Sequence, residues 1–106
     1  MASFYKNAKV DLTGTGVTTL YTAPAATTAI FKSLLVADDS GSTSTITVTI
    51  TRGAAVFVVY NVKATTANGT LELLTQPLVI QESEILKVTA ANANRLHVVG
   101  SFLEVT

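Results

Sequence analysis

The chain has 106 residues, seven Lys or Arg against seven Asp or Glu, and no cysteine or tryptophan. That length supports one domain around one core. The absence of thiols excludes disulfides and thiolate metal sites, and the charge balance lacks the basic excess that phosphate neutralisation demands of a nucleic-acid binder.

Charged residues make up only 13% of the chain and apolar ones 48%, whereas an ordinary domain is about a quarter charged. Part of the surface is therefore expected to be hidden in an assembly, or kept wet by the eighteen threonines, a residue type that packs well on a pleated sheet. The start, Met1 to Lys9, is too polar for a signal-peptide core, and no apolar run reaches the roughly twenty residues of a membrane helix. The expectation is a cytoplasmic, unprocessed product that contacts no membrane.

In chain order, Phe4 to Leu12 mixes apolar residues with Lys6, Asn7, Lys9 and Asp11 and reads as an edge strand or an arm, with residues 1–16 as its outer limit. Gly14 and Gly16 mark a turn. Val17 to Thr22 is a short strand, closed by Ala23-Pro24-Ala25-Ala26 because proline cannot donate to a ladder. Ala29 to Ala37 follows and is apolar on both faces. Strict alternation puts Ile30, Leu34 and Val36 on one side and Phe31, Leu35 and Ala37 on the other, with Lys32 and Ser33 interrupting. Such a strand needs cover on both faces and belongs in the middle of a structure.

Asp38 to Ser42 is a polar loop. In Thr43 to Arg52, Ile46, Val48 and Ile50 alternate with Thr45, Thr47, Thr49 and Thr51, the pattern of a half-buried strand with one wet face. Beyond Gly53, Val56 to Val62 is a second strand apolar on both sides. Asn68-Gly69 is a strong turn signal before Leu71 to Leu74, and Pro77 separates that run from Leu78 to Ile80. A turn at Gln81 to Glu84 leads to Ile85–Ala90, and another at Asn92 to Asn94 leads to Leu96–Val105. Val99, Leu103 and Val105 should face one way in this last strand, and Val98, Gly100 and Phe102 the other. Seven to nine short strands, turn signals about every ten residues and no helix longer than a turn indicate a single all-β domain, a sandwich or a barrel.

Residues able to do chemistry are sparse. His97 is the only histidine and reads as an inert residue on a sheet surface. Asp38 and Asp39 are adjacent, not spaced as an EF-hand calcium loop spaces its acids, and no terminal glutamate follows; a solvated turn is expected there. Glu82 and Glu84 read as turn residues, not as a pair flanking a sugar. Thr13 to Gly16 precedes a strand, so no helix N-terminus stands ready for phosphate. Neither a cofactor nor an enzyme activity is expected. Phe4, Tyr5, Tyr21 and Tyr60 could form an aromatic platform for sugar, which keeps carbohydrate binding as the alternative.

The cadence as a whole carries a resemblance. It comprises Leu20-Tyr21-Thr22-Ala23-Pro24, then Ala29 to Ala37, the threonine-alternating Ile46 to Thr51, Leu78-Val79-Ile80, Ile85 to Ala90, and Val98 to Val105. From Thr18 onward this resembles the small β-sandwich virion proteins of tailed bacteriophages, which serve as capsid decoration (cement) or tail-associated proteins. The chain differs from them at Asp38-Asp39 and at Gln81 to Glu84, where a less acidic loop and a glycine are common.

The resemblance implies an antiparallel, jelly-roll-like β-sandwich acting in the virion as a homotrimer. Its partner would be the major capsid protein or another virion protein, with no nucleic acid or membrane involved. The alternative it leaves is a tail, neck or fibre-associated sandwich that binds host-surface carbohydrate. Alternation nominates Phe31, Leu35, Phe57 and Val59 as outward residues of the apolar strands and interface candidates, together with Phe4 and Tyr5 of the arm. Which face of each strand is core stays open at this point.

Overall fold

The computed structural model describes residues 2–106. Every expected strand forms: β1 (Ser3–Leu12), β2 (Thr18–Thr22), β3 (Thr28–Asp38), β4 (Thr45–Arg52), β5 (Ala55–Ala64), β6 (Thr70–Glu72), β7 (Leu78–Ile80), β8 (Ile85–Ala90) and β9 (Leu96–Val105). Among the described residues there is no helix, and hence none long and apolar enough to cross a membrane.

The strands make two antiparallel sheets. One runs β1-β9-β3-β6, with β7 also on β3; the other runs β2-β8-β4-β5. Apart from the β4–β5 hairpin and the β6–β7 pair, each connection carries the chain from one sheet to the other. β6 and β7 occupy the same flank of β3, against Leu35–Ala37 and Ala29–Phe31 respectively. They behave as one strand broken ahead of Pro77, which has no N–H to give a ladder. With β6 and β7 counted together, this is the wrapped eight-strand order of a jelly-roll-like sandwich.

The core is built by alternation, and a bulge adjusts it. Phe31 pairs with Phe102, but the next pair is Ser33 with Ser101, so β3 carries one residue more than β9 at Lys32. A bulge inverts the side-chain parity of everything beyond it. Ala29 and Phe31 therefore point inward before it, and Leu34, Val36 and Asp38 point inward after it. This corrects the face assignment made from strict alternation: Phe31 lies with Leu34 and Val36, at 0% exposure.

Glu72 stabilises the bulge. Its carboxylate accepts from the Ser33 hydroxyl at 2.5 Å, the Leu34 amide at 2.7 Å and the Leu74 amide at 3.3 Å. Beside it the Leu73 amide donates to the Leu34 carbonyl. The polar groups freed by the bulge thus find partners, as buried backbone groups must.

Within the sandwich, Phe31 stacks on Phe102 with ring centroids 4.6 Å apart, and Tyr21 packs against both, at 5.5 Å and 4.6 Å. Such pairs contribute about 0.5–1.5 kcal/mol beyond the area they bury. Leu34, Val36, Ile46, Val48, Ile80, Leu86, Val88, Leu96 and Val98 complete a continuous apolar layer. The expected wet face of β4 is only partly wet: Thr45, Thr47 and Thr49 are half-buried and Thr51 is buried.

Candidate functional site

Among the described residues, the two long edge strands carry six of the ten exposed large apolar side chains; Val17, Leu35, Val79 and Val99 are the others. β1 pairs only with β9, and β5 only with β4. Along β5, Val56, Phe57, Val58 and Val62 are all exposed, with Phe57 at 58%. Val56 sits opposite Thr51 and Val58 opposite Thr49, so both lie on the outer face of their sheet. Phe57 sits opposite Ile50 and faces the other sheet, but beyond the rim of the core. Together with Ile50, Val79, Gln81 and Glu84 it lines an open groove of about 350 Å³ between β5 and β7.

At the opposite side of the sandwich, β1 runs beside β2. Phe4 pairs with Glu104 and faces inward past the end of the sheet, 52% exposed; Tyr5 pairs with Leu103 and faces outward, 79% exposed. A shallow concavity at this end is lined by Tyr5, Lys6, Asn7, Lys32, Ser101 and Phe102. Register places Tyr5, Leu103, Ile30 and Val79 in one row across the outer face of this sheet. Leu35 and Val99 form a neighbouring pair.

Of the candidates drawn from alternation, Phe4, Tyr5, Leu35 and Phe57 are therefore exposed, Leu35 at 37%. Phe31 is not on the surface; the bulge at Lys32 turns it into the core. Val59 is half-buried against the core, because the register slips between Val48–Tyr60 and Thr49–Val58 and leaves it as the extra residue. Val56, Val58 and Val62 were missed. The signal was the same double apolar pattern, read as a strand covered on both sides when it belongs to an edge.

One charged group is built into the inner face near β1. Glu104, at 7% exposure, accepts from Lys6 Nζ at 2.8 Å and from the Tyr21 hydroxyl at 2.6 Å. The Lys6 ammonium first, and the Tyr21 hydroxyl next, hold its carboxyl below the ordinary value against the opposing effect of burial. Burial and the neighbouring carboxylate push the Tyr21 phenol far above its own. An inward-pointing lysine on an edge strand also discourages indiscriminate strand addition.

The remaining polar groups serve the turns. Asp38 is buried, not solvated as expected: its Oδ1 accepts from the amide and hydroxyl of Ser40, both at 2.9 Å, while Oδ2 has no partner. Asp39, the next residue, is exposed, so the two acids do not converge. Glu84 accepts from the Gln81 amide at 2.7 Å, and Glu82 from the Ala26 amide at 2.8 Å. His97 lies on the outer sheet face, its Nε2 at 3.6 Å from Asp11 and 3.4 Å from Asp39. No cluster of three His, Cys, Asp or Glu able to hold a metal ion occurs among the described residues. The four aromatics considered for a sugar platform are dispersed. Tyr21 is packed in the core cluster, and Tyr60 gives its hydroxyl to the Leu73 carbonyl, which leaves Phe4 and Tyr5 exposed.

The chain is thus an all-β sandwich that exposes apolar side chains along both of its long edge strands and, more thinly, on the outer sheet face between them. No family model matches it, and no curated protein does. Among solved structures it is similar to a pentameric capsid protein isolated from metagenomic phage sequences, at 15% identity and a TM-score of 0.47. That alignment covers 93% of this chain and 58% of the other, so the chain spans well under two thirds of that protein's length. Similarity at this level leaves the question of function to the chain's own residues.

Proposed function

We propose that this chain is a non-enzymatic structural protein of a tailed-phage virion, a capsid decoration protein that works as a homotrimer and bridges neighbouring capsomers. The observation that carries the reading is the placement of exposed apolar side chains. Phe4 and Tyr5 on one edge strand, and Val56, Phe57, Val58 and Val62 on the other, leave both flanks of an 11.1 kDa sandwich uncovered. Exposed apolar surface of this kind marks interaction sites, and aromatic residues are the side chains that anchor interfaces. The strand cadence shared with small phage virion sandwiches points in the same direction.

A cement protein needs interface more than a pocket, because it resists pressure and performs no reaction. A specific contact buries about 800 Å² per partner, and the two apolar flanks with the rows between them offer surface for more than one. The test is reconstitution. Purified chain is mixed with phage shells stripped of their decoration, and the shells are imaged by electron microscopy. Regular occupancy at the local threefold positions is expected. Shells that stay bare, or a few copies at the tail vertex alone, would overturn the reading; the latter outcome, with glycan binding, favours a tail or fibre component.

A further inference from the structure

The bulge in β3 does more than reset the core. Phe31 and Leu34 both point inward, so the two residues between them, Lys32 and Ser33, both point outward where a regular strand would present one. Bulges re-aim side chains in this way and are common beside binding sites. Ser33 is used at once, its hydroxyl donating to Glu72. Lys32 is not: it is exposed, and among the described residues no ion pair engages it.

Lys32 borders a concavity of about 310 Å³ that also meets Tyr5, Asn7 and Ser101. These three share the outer face of the sheet, Asn7 opposite Ser101 and Ser101 opposite Ser33. Asn7 Oδ1 accepts from Lys9 Nζ at 3.2 Å, which leaves the Asn7 amide group free to donate and brings a second ammonium to the rim. No carboxylate lines the concavity. Of those on neighbouring rungs, Glu104 is bound by Lys6 and Tyr21 on the inner face, and Glu72 by Ser33 and two backbone amides. Other concavities of similar size lack this combination. The β5–β7 groove holds Glu84 beside Arg52, and the hollow near Lys9 and Val99 contains Asp11 and His97, which face each other at 3.6 Å. The hollow over β4 has Lys87 and threonines, but its walls are valines and it has no aromatic ring.

We propose that this face binds a carboxylated sugar unit of an acidic polysaccharide. The Tyr5 ring, 79% exposed, takes the apolar C–H face of the sugar, as a flat amphipathic side chain can. The Lys32 ammonium takes the carboxylate in a charge-assisted hydrogen bond. The Asn7 amide and the Ser101 hydroxyl are left for ring hydroxyls, which both donate and accept. The concavity lies open on the sheet face, which suits a chain passing over it and does not enclose a small molecule. Nucleic acid fits less well. One ring is one stacking platform where a single strand uses several, and a chain of zero net charge lacks the basic excess that phosphates call for. The inference stands apart from the decoration reading and shares only Tyr5 with it.

Titrating the isotope-labelled chain with a galacturonic acid trimer, read by amide chemical shifts, tests the site. Shifts grouped at residues 5–7, 32–33 and 100–102 are expected. The methyl-esterified trimer, with the same rings and no charge, should bind about tenfold more weakly. Tyr5→Ala and Lys32→Gln should each weaken binding of the acid about tenfold with thermal unfolding unchanged, because both side chains are exposed. Lys87→Gln, at the hollow over β4, should leave binding as it is.

No shift up to the solubility of the trimer, equal binding of the ester, shifts centred elsewhere, or tighter binding of an oligothymidylate would each overturn the proposal. Inorganic phosphate as effective as the trimer would reduce the site to a bare anion contact and overturn it as well. A chain that binds the trimer but leaves stripped shells bare sinks the decoration reading alone, and decorated shells without trimer binding sink this site alone.

Discussion

The ring of Phe31 occupies the space that a side chain at residue 100 would need: a Cβ built on Gly100 would lie 2.6 Å from Phe31 Cε2 and 3.0 Å from its Cδ2. Gly100 is on β9 with ordinary strand geometry, so the requirement comes from packing, not from the backbone. Because Phe31 is stacked on Phe102 and bounded by Tyr21, it has nowhere to retreat. Gly100→Ala should destabilise the fold by about 1–3 kcal/mol through overpacking. Equilibrium unfolding in urea measures this, and Phe31→Leu in the same chain should recover part of the loss.

Acid should loosen the β1 flank. Glu104 and Glu72 both titrate below their ordinary value of 4.5 in the folded chain. For Glu104 the main cause is the Lys6 ammonium. For Glu72, burial opposes the shift and is outweighed by the Ser33 hydroxyl with the Leu34 and Leu74 amides. A lowered folded value means that the unfolded chain binds more protons in that range. The stabilisation is therefore fully present above about pH 4.5 and is lost as pH falls through the folded values. Glu104→Gln should cost about 2 kcal/mol at pH 7, the scale of hydrogen bonds to a charged group. It should also shrink the fall in urea midpoint between pH 7 and pH 3.

At the β3 bulge, Glu72→Ala leaves the Leu34 amide without an acceptor and should cost about 1–2 kcal/mol. Glu72→Gln keeps a carbonyl oxygen there and should cost less. Amide hydrogen exchange at Leu34 distinguishes this local opening from a global effect, and faster exchange confined to residues 32 to 35 is the expected result.

Val62 adopts φ of +50° where β5 slips against β4, its amide donating to Thr47 Oγ1. A β-branched residue is poorly suited to that region, and asparagine tolerates it. Val62 is exposed and gives up little burial when replaced. Val62→Asn should stabilise the protomer by about 0.5–1 kcal/mol, read as a higher melting temperature; an unchanged or lower one would mean that the strand relaxes without cost.

Much of this architecture could be read from the residues, because turn chemistry and period-two patterns act locally. Gly53, Asn68-Gly69, Pro77 and the polar runs at 38–42, 81–84 and 92–94 bounded the strands that form. What could not be read was parity across a bulge. Counting from Ile30 to Ala37 in twos puts Phe31 on the wrong side, although the adjacent polar pair Lys32-Ser33 inside an apolar run was a sign of the slip. Edge and centre were also indistinguishable. β3 and β5 are both apolar on both faces, but β3 is flanked by β9 on one side and by β6 and β7 on the other, whereas β5 has one neighbour. Ladder partners are a non-local property, and no window of sequence around Phe57 contains them. Glu104 could have been anticipated, since it shares the parity of the inward-facing Val98, Gly100 and Phe102, and a carboxylate at such a position needs a bonded partner.

The pairing of β1 with β9 joins residues 3–12 to 96–105 over ten consecutive rungs. Nothing on the first strand can find its ladder partner until residues 96–105 have been synthesised, so the sandwich closes only after they emerge. Loop closure over such separations is slow compared with hairpin formation. Throughout that delay Phe102 is missing from its place against Phe31 and Tyr21, and the inner faces of β1 and β3 stay open to solvent.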